Sequence, residues 1–375
     1  MLKSLKKGKS KDPDNYICEL FKEGVIEKDL NESILLMMNR IKKKMEIPQC
    51  LTTANITILH KNKCKLDLNN WRGIYVSSVL RTILMKLVHG RTYEVVNKNM
   101  TDGQIGARKN KSVRNHLFIL NSVLSDVMSS VKKTPIDLTI MDFKQMFDSE
   151  KLETVLNSFY EAGIHDDMLG LVYEANKNVT FAVKTPSELT SRRNISNKIM
   201  HGDVISPLVS SNMVDENISK RAMATHNFYM YKDKVPIPPL IMQDDTLAIS
   251  TCGHKAKQMV ELLNTCTNLM CLQFGRDKCV KLHVGKRQNK EICPKLKIDA
   301  WDEIVVENGE KPELQDRYLG KETMKSVQEK KYLGNILSHD IKNTKNIKEK
   351  ADRGVGIVNV IISSLVERPY GKQTF

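Results

Sequence analysis

The chain has 375 residues, 41% hydrophobic content and a net charge of +15. This content can supply the core of one large domain or two ordinary ones, which excludes a disordered chain. No apolar stretch reaches the roughly 20 residues that a bilayer span needs, and the lysine-rich start lacks the apolar segment of a signal peptide. We therefore expect an intracellular protein, in the cytoplasm and nucleus, with no membrane contact.

The charge is distributed unevenly. Residues 1 to 50 carry a net charge of +3, residues 51 to 135 carry +10, residues 136 to 250 carry −5 and residues 251 to 375 carry +7. Basic segments around an acidic middle suit a polyanion that is held on both sides of a metal-binding centre. A lysine-rich solubilising surface would explain the total charge but not this segregation.

The eight cysteines include no C-x-x-C pair, so we expect reduced thiols. A zinc site built from Cys271, Cys279, His283 and Cys293 is the alternative, although these spacings match no common ligand pattern.

The first third of the chain predicts a charged, mobile tail over residues 1 to 15 and then a helix that ends before Pro48. Alternating apolar residues predict a strand over residues 54 to 60. Apolar residues at helical spacing predict a helix over residues 79 to 96.

In the middle segment, residues 135 to 142 predict a short buried strand that ends in Asp142. Further along the chain, the patterns predict helices over residues 152 to 163 and 166 to 176, a strand over 179 to 183 and a helix over 206 to 224.

Residues 238 to 250 predict a hairpin that bends at Gln243 and Asp244, and a helix over 254 to 274 and a strand over 279 to 284 follow. This order is typical of a split β-α-β-β-α-β sheet, with helices on one face and the other face free for a ligand. Such a sheet would place Asp142 beside Asp244.

The adjacent carboxylates Asp244 and Asp245 lie inside an apolar stretch, where two charges are costly to desolvate. Together with Asp142 they could hold two Mg²⁺ ions for an in-line phosphoryl displacement. A structural pair in a solvent-facing turn is the competing interpretation.

Seven short segments carry a family resemblance. They are WRGI at 71 to 74, QIGARK at 104 to 109, MDFKQMFD at 141 to 148, HGDVISPL at 201 to 208, MQDD at 242 to 245, FGRDK at 274 to 278 and YLGNIL at 332 to 337. The first two resemble finger blocks of the polymerases of non-LTR (LINE-type) retrotransposons, and the others resemble the ordered motifs A to E of a reverse transcriptase. The resemblance covers about residues 47 to 340.

The resemblance implies an α+β right-hand polymerase fold, with fingers over residues 47 to 135 and a split-sheet palm over 136 to 340. A basic N-terminal tail and helix over residues 1 to 46 would precede it, and the start of a truncated helical thumb would occupy 341 to 375. The family's endonuclease and RNase H domains cannot be placed in this chain.

For the site, the resemblance implies that Asp142, Asp244 and Asp245 hold two Mg²⁺ ions, with Mn²⁺ as a substitute. The backbone carbonyl of Phe143 would be a further ligand. Lys278 matches a lysine that protonates the pyrophosphate leaving group, although a lysine at this position also suits an ordinary turn.

The resemblance also implies the substrate contacts. Phe147 matches an aromatic residue that blocks a ribose 2′-OH, and Arg72 and Arg108 lie in blocks that meet the triphosphate. His201 and Gly202 stand where the family has Gln-Gly, so the amide's paired donor and acceptor are absent.

The implied function is RNA-directed DNA polymerisation with an RNA template, a DNA primer and dNTPs. A relic that binds RNA without polymerising is the alternative, which His201 and Met242 favour because they depart from the family pattern. An RNA-directed RNA polymerase is a third option, and Phe147 argues against it.

Overall fold

The computed structural model describes residues 2–8, 10–22, 28–60, 64–66, 70–129, 135–185, 187–285, 296–304 and 315–338. These residues form a mixed α+β fold around a five-stranded and a four-stranded sheet. In this part of the chain, no helix is both long enough and apolar enough to cross a bilayer. The predicted thumb segment, residues 341 to 375, lies outside the described residues.

The helices are α1 (Cys18–Lys22), α2 (Lys28–Lys44), α3 (Val79–Asn99), α4 (Val113–Ser129), α5 (Met146–Ser149), α6 (Leu152–Glu161), α7 (Asp166–Asn176), α8 (Ser206–Val214), α9 (Arg221–Ala224) and α10 (Gly253–Leu269). A π-helical segment, Asp215–Lys220, joins α8 to α9, and short 3₁₀ turns cover Leu2–Ser4 and Gln49–Thr52.

The strands are β1 (Thr53–His60), β2 (Trp71–Ser77), β3 (Ile136–Met141), β4 (Asn178–Lys184), β5 (Arg193–Ser196), β6 (Tyr229–Tyr231), β7 (Val235–Ile237), β8 (Leu240–Met242), β9 (Asp245–Ser250), β10 (Val280–Val284), β11 (Lys297–Ile304), β12 (Gln315–Thr323), β13 (Lys325–Val327), β14 (Glu329–Tyr332) and β15 (Asn335–Ser338).

The five-stranded sheet has the order β13-β10-β3-β9-β8. Strand β3 lies between β10 and β9 and is antiparallel to both, and β8 pairs with β9 as a hairpin. This is the strand order of the split β-α-β-β-α-β sheet, so that prediction is confirmed. Every residue of β3 is buried, which explains its nearly continuous apolar run.

Both faces of this sheet are covered. On one face, Ile136, Leu138 and Ile140 belong to the same apolar cluster as Leu120 and Val123 of α4. On the other face, α10 contacts β3 and β9. The prediction of a free face is therefore wrong, because the sheet buries apolar residues on both sides and each side needs a covering layer.

The four-stranded sheet has the order β2-β1-β4-β5, and its β1 and β4 are parallel. Helix α3 follows β2, and Ser78 caps it by accepting a hydrogen bond from the backbone N–H of Arg81 at 3.0 Å.

The N-terminal segment packs on α3 instead of forming the predicted free tail. The carboxylate of Asp12 accepts a hydrogen bond from the backbone N–H of Val79 at 3.0 Å, and Leu5 is 1% exposed. An acidic group at a helix N-terminus satisfies an otherwise unpaired donor and complements the helix dipole. The described part of residues 1 to 15 therefore contributes to the fold.

Candidate active site

Three carboxylates meet at one end of the five-stranded sheet. Asp142 directly follows β3, and Asp245 begins β9 beside it, because Met141 pairs with Thr246. Asp244 lies in the two-residue turn between β8 and β9, in which Met242 pairs with Asp245. The predicted hairpin with its bend at Gln243 and Asp244 is confirmed, and the sheet register brings the three carboxylates together.

The carboxylates repel one another. Burial and, after it, the charges of Asp244 and Asp142 raise the pKa of Asp245 to about 6. The pKa of Asp244 is also raised, first by burial and then by the charge of Asp142. A cluster of half-buried negative charges with raised pKa values is typical of a site that receives a cation or a reacting group.

Lys278 supplies a positive charge to this cluster. Its ammonium Nζ lies 2.7 Å from Oδ1 of Asp142. Burial opposes the charged form, but the hydrogen bond to Asp142 and the charges of all three aspartates outweigh it and raise the pKa of Lys278. The side chain is 62% exposed, so the ion pair faces solvent and contributes little to stability.

The segment before Lys278 is joined to the Asp142 segment. The backbone N–H of Gly275 donates to the carbonyl of Asp142 at 2.8 Å. The rings of Phe143 and Phe274 stack with their centroids 5.0 Å apart. Predicted motifs A and D are therefore held against each other. The predicted role of the Phe143 carbonyl as a metal ligand stays a prediction.

Gln104 holds the turn that carries Asp244. This side chain is fully buried, and its Oε1 accepts hydrogen bonds from the backbone N–H groups of Gly106 at 2.7 Å and Gln243 at 3.2 Å. Gln243 has a φ of 59°, which is uncommon for a residue other than glycine and needs such support. The sequence predicted no role for Gln104, although its position at the start of the QIGARK segment was the available signal.

Gly103 and Gly106, on either side of Gln104 and Ile105, allow the backbone of this segment to approach the β8–β9 hairpin closely. The backbone around Ile105 pairs with Ile241 of β8, with N–H···O distances of 3.0 Å from Ile105 to Ile241 and 2.7 Å from Ile241 to Gly103. A Cβ on Gly106 would lie 2.8 Å from the backbone nitrogen of Gln243. Residues 103 to 106 therefore act as a support for the hairpin.

A groove of about 450 Å³ opens beside this turn. Its lining includes Met242 and Gln243 of the hairpin and Tyr93 and Lys109 from the neighbouring helix and loop. The ammonium of Lys109 lies 4.5 Å from the centre of the Tyr93 ring. The Tyr93 ring is 3% exposed and lies beneath this ammonium, so Lys109 is available to a phosphate but Tyr93 offers no free face on which a base could stack.

Aromatic side chains from three segments surround the predicted sugar site. The ring of His201 lies 5.8 Å from that of Phe147 and 5.2 Å from that of Tyr75 on β2. Gly202 has a φ of 78°, and a Cβ there would lie 3.1 Å from the carbonyl oxygen of Tyr75. The structure thus brings Phe147, His201 and Gly202 together, and glycine is required at 202 because of its conformation.

The two predicted phosphate-binding arginines have different surroundings. The guanidinium of Arg108 donates to the side chain and carbonyl of Asn97 and to the carbonyls of Thr101 and Gln104, at 2.6 to 3.1 Å. These bonds commit Arg108 to the structure of its own loop. Arg72 is exposed on β2, opposite Leu59. A triphosphate contact by either arginine stays a prediction.

The donor set fits Mg²⁺ only in part. Within the described residues, no group of three or more His, Cys, Asp or Glu side chains is already arranged to hold a metal ion. Mg²⁺ is usually bound by one or two carboxylates while substrate phosphates and water supply the rest. The half-buried, mutually repelling Asp142, Asp244 and Asp245 therefore suit a Mg²⁺ site that is completed by the substrate.

The zinc alternative receives no support in the described residues. Burial raises the pKa of Cys279 to about 11, which opposes the thiolate that zinc needs. His283 instead pairs with Asp137, with Nδ1 and Oδ1 2.9 Å apart. Cys293 lies outside the described residues.

Glu150 is a buried carboxyl near the site that the sequence reasoning did not identify. It is 0% exposed, and its Oε2 accepts a hydrogen bond from the hydroxyl of Ser210 on α8 at 2.7 Å. Burial raises its pKa to about 7, although the Ser210 hydrogen bond and the charge of Lys198 oppose the shift. The negative charge of Asp244 also raises the pKa of Glu150, which shows that the two carboxyl groups interact electrostatically.

We expect Glu150→Gln to change how stability depends on pH. Because the pKa is higher in the folded state than in the unfolded state, protonation of Glu150 stabilises the fold. This contribution is fully present below the unfolded pKa near 4.5 and is lost as the pH rises through about 7. The neutral glutamine avoids the loss, so its free energy of unfolding should exceed that of the wild type by roughly 1 to 3 kcal/mol at pH 8. At pH 5 the two should be similar.

Urea unfolding at pH 5, 6.5 and 8 measures this difference. The matched control is Glu153→Gln, because Glu153 is exposed on α6 and should not alter the pH dependence. Parallel pH curves for the wild type and Glu150→Gln would mean that Glu150 does not titrate in this range.

Comparisons with known proteins give a weak backbone likeness. No model of a known protein family matches the chain, and no curated protein matches it. A solved structure of apo telomerase from Candida tropicalis, truncated from the C-terminal domain, is similar with a TM-score of 0.47 and 12% identity. The match covers 70% of this chain and 56% of that chain, so it spans little more than half the telomerase structure. At these values the likeness supports no conclusion about function.

Proposed function

We propose that this chain is the RNA-directed DNA polymerase of a non-LTR retrotransposon. The observation that carries the proposal is the convergence of Asp142, Asp244 and Asp245 at the strand ends, where burial and mutual repulsion raise the pKa values of the last two. Carboxylates from adjacent strands are the donors that two-metal nucleotidyl transfer requires. The segments that carry them resemble the ordered motifs of a reverse transcriptase.

The carboxylates would hold Mg²⁺ in their ionised form. When bound, Mg²⁺ would supply the Lewis acidity that activates the primer hydroxyl for attack. The protein itself would contribute by positioning the carboxylates. Gln104 holds the turn at Gln243, and the pairing of β3 with β9 holds Asp142 beside that turn. Lys278, whose Nζ lies 2.7 Å from Oδ1 of Asp142, would donate a proton to the oxygen of the leaving pyrophosphate.

The substrate contacts follow from the aromatic cluster and the groove. Phe147, against His201, would exclude a ribose 2′-OH and so select dNTPs. The groove with Lys109 and Tyr93 would hold a strand of the RNA template and DNA primer. Because A-form hybrids are recognised mainly through phosphates and 2′-OH groups, binding should weaken strongly with salt and depend little on sequence.

A relic that binds RNA without polymerising is the second candidate. It is favoured by the Lys278–Asp142 ion pair, which neutralises a predicted metal ligand. An RNA-directed RNA polymerase would need to admit rNTPs past Phe147, which argues against that option.

Primer extension separates these candidates. The wild-type chain is given an RNA template with a DNA primer, Mg²⁺ and either dNTPs or rNTPs, and duplex binding is measured separately. We expect extension with dNTPs, loss of extension after EDTA and restoration by Mg²⁺ or Mn²⁺. Binding without extension would support the relic, extension only with rNTPs would support the RNA polymerase, and neither binding nor extension would reject all three.

We expect Phe147→Ala to relax sugar selection. Removing the ring opens space beside His201, so the preference for dNTP over rNTP in kcat/KM should fall on the order of 10- to 100-fold, with dNTP use largely kept. Single-nucleotide incorporation with dGTP and GTP measures this ratio. Phe228→Ala is the control, because the Phe228 ring contacts only His226 among the ring contacts in the described part of the chain. An unchanged ratio in Phe147→Ala would show that Phe147 does not face the sugar.

A further inference from the structure

Arg81 is a fully buried arginine that joins four segments. It lies on α3 and is 0% exposed. Its guanidinium donates to the carbonyls of Leu51 at 3.0 Å and Ala175 at 2.7 Å, to Oδ1 of Asn176 at 3.1 Å and to Oδ2 of Asp203 at 2.9 Å. A buried arginine with its donors satisfied in this way has one fixed orientation.

Two of these partners flank the turn that contains His201 and Gly202. Asp203 follows the turn directly and is ion-paired with Arg81 at 2.7 Å, with both side chains buried. Asn176 accepts a hydrogen bond from the backbone N–H of Met200, just before the turn, at 3.0 Å. The same guanidinium therefore holds the turn from both sides, directly at 203 and through Asn176 at 200.

A buried ion pair is by itself weak evidence for a contribution to stability. Replacing a buried ion pair by apolar residues of similar size is often neutral or stabilising, because desolvation offsets the attraction between the charges. The more specific effect of the Arg81–Asp203 pair is on the position of the turn, in which Gly202 lies against the Tyr75 carbonyl and His201 lies against Phe147.

We propose that Arg81 is a positioning residue that, through Asp203 and Asn176, fixes the His201-Gly202 turn and thereby sets the affinity for the incoming nucleotide. This inference rests on the proposed function, since the turn borders the predicted sugar site. Arg81 itself touches no substrate. Its effect should appear in KM for dNTP and not in kcat or in duplex binding.

The test removes the pair without leaving a buried charge. The double variant Arg81→Met/Asp203→Leu is compared with the wild type and with Asp137→Asn, which breaks a different ion pair at the far end of β3. Circular dichroism reports folding, hydrogen exchange reports the backbone of residues 198 to 206, and single-nucleotide incorporation gives KM and kcat. Arg81→Lys is added because lysine keeps the charge but cannot reproduce the guanidinium fork.

In the folded double variant we expect exchange in residues 198 to 206 to become at least about 10-fold faster and KM for dNTP to rise at least about 10-fold. The value of kcat and the duplex affinity should change less than about 3-fold, and Arg81→Lys should be intermediate. Asp137→Asn should leave both the exchange of this segment and KM unchanged.

Unchanged exchange in the folded double variant would overturn the inference, whatever the activity. A fall in kcat or in the active fraction at constant KM would also overturn it, because it indicates a merely structural role. If the wild type shows no extension at all, the proposed function fails, and the exchange measurement still decides whether Arg81 fixes the turn.

Discussion

Asp244→Asn should abolish primer extension, lowering kcat by at least about 1,000-fold, and leave the protein folded. Asparagine has the shape of aspartate without its charge, so it cannot replace the carboxylate as a ligand of Mg²⁺. The substitution should not destabilise the fold, because burial and the charge of Asp142 already raise the pKa of Asp244 and disfavour its ionised form. The melting temperature should therefore be equal to or higher than that of the wild type.

The matched control for this substitution is Asp233→Asn. Asp233 is also an aspartate in a hairpin turn, between β6 and β7, but it is exposed. It has a φ of 55°, which asparagine tolerates. Extension by Asp233→Asn should match the wild type. Equal extension by wild type and Asp244→Asn would instead show that the acidic hairpin is a structural turn, the competing interpretation of the Asp pair.

Gly106→Ala should impair both stability and activity. The new Cβ would lie 2.8 Å from the backbone nitrogen and the Cγ of Gln243 and 2.8 Å from the hydroxyl of Ser211. Overpacking of this kind typically costs about 1 to 3 kcal/mol. Because the backbone of Gln243 must move and Asp244 is the next residue, we also expect kcat to fall on the order of 100-fold.

Gly90→Ala is the control for Gly106→Ala, because the same added methyl group should here increase stability. Gly90 lies in the middle of α3, is exposed, and has nothing within 4 Å of an added Cβ. Alanine is the better helix former, so the free energy of unfolding should rise by about 0.5 to 1 kcal/mol with unchanged extension. Urea unfolding and extension measure both variants. If Gly106→Ala behaved like Gly90→Ala, the hairpin would not depend on the 103 to 106 support.

Much of the secondary structure follows from local patterns. The structure confirms the predicted helices at α2, α3, α6, α7 and α10, the buried strand β3 and the β8–β9 hairpin. These elements carry their own signals, in apolar spacing, caps and glycines, within about 10 to 20 neighbouring residues. The helix predicted over residues 206 to 224 is present but contains a π-helical segment at Asp215–Lys220, which no local pattern indicated.

The candidate site was also predictable from the sequence only in part. The carboxylates were evident from the sequence because charged residues stand out inside apolar strands, and their convergence followed from the predicted sheet order. The loop function of Arg108 and the ion pair of Lys278 were not evident, since a surface arginine and a turn lysine have no distinctive local pattern.

By itself, the sequence determined the order of the elements of the split sheet, the acidic hairpin and the unequal distribution of charge, because each depends on residues close together in the chain. Only the tertiary structure decided that α4 covers the second face of the sheet, that Gln104 supports Gln243 across 139 residues, and that Arg81 binds Asp203 across 122 residues. The physical reason is that a buried polar side chain is satisfied by whichever groups the fold brings to it. Those partners have no fixed spacing in the sequence.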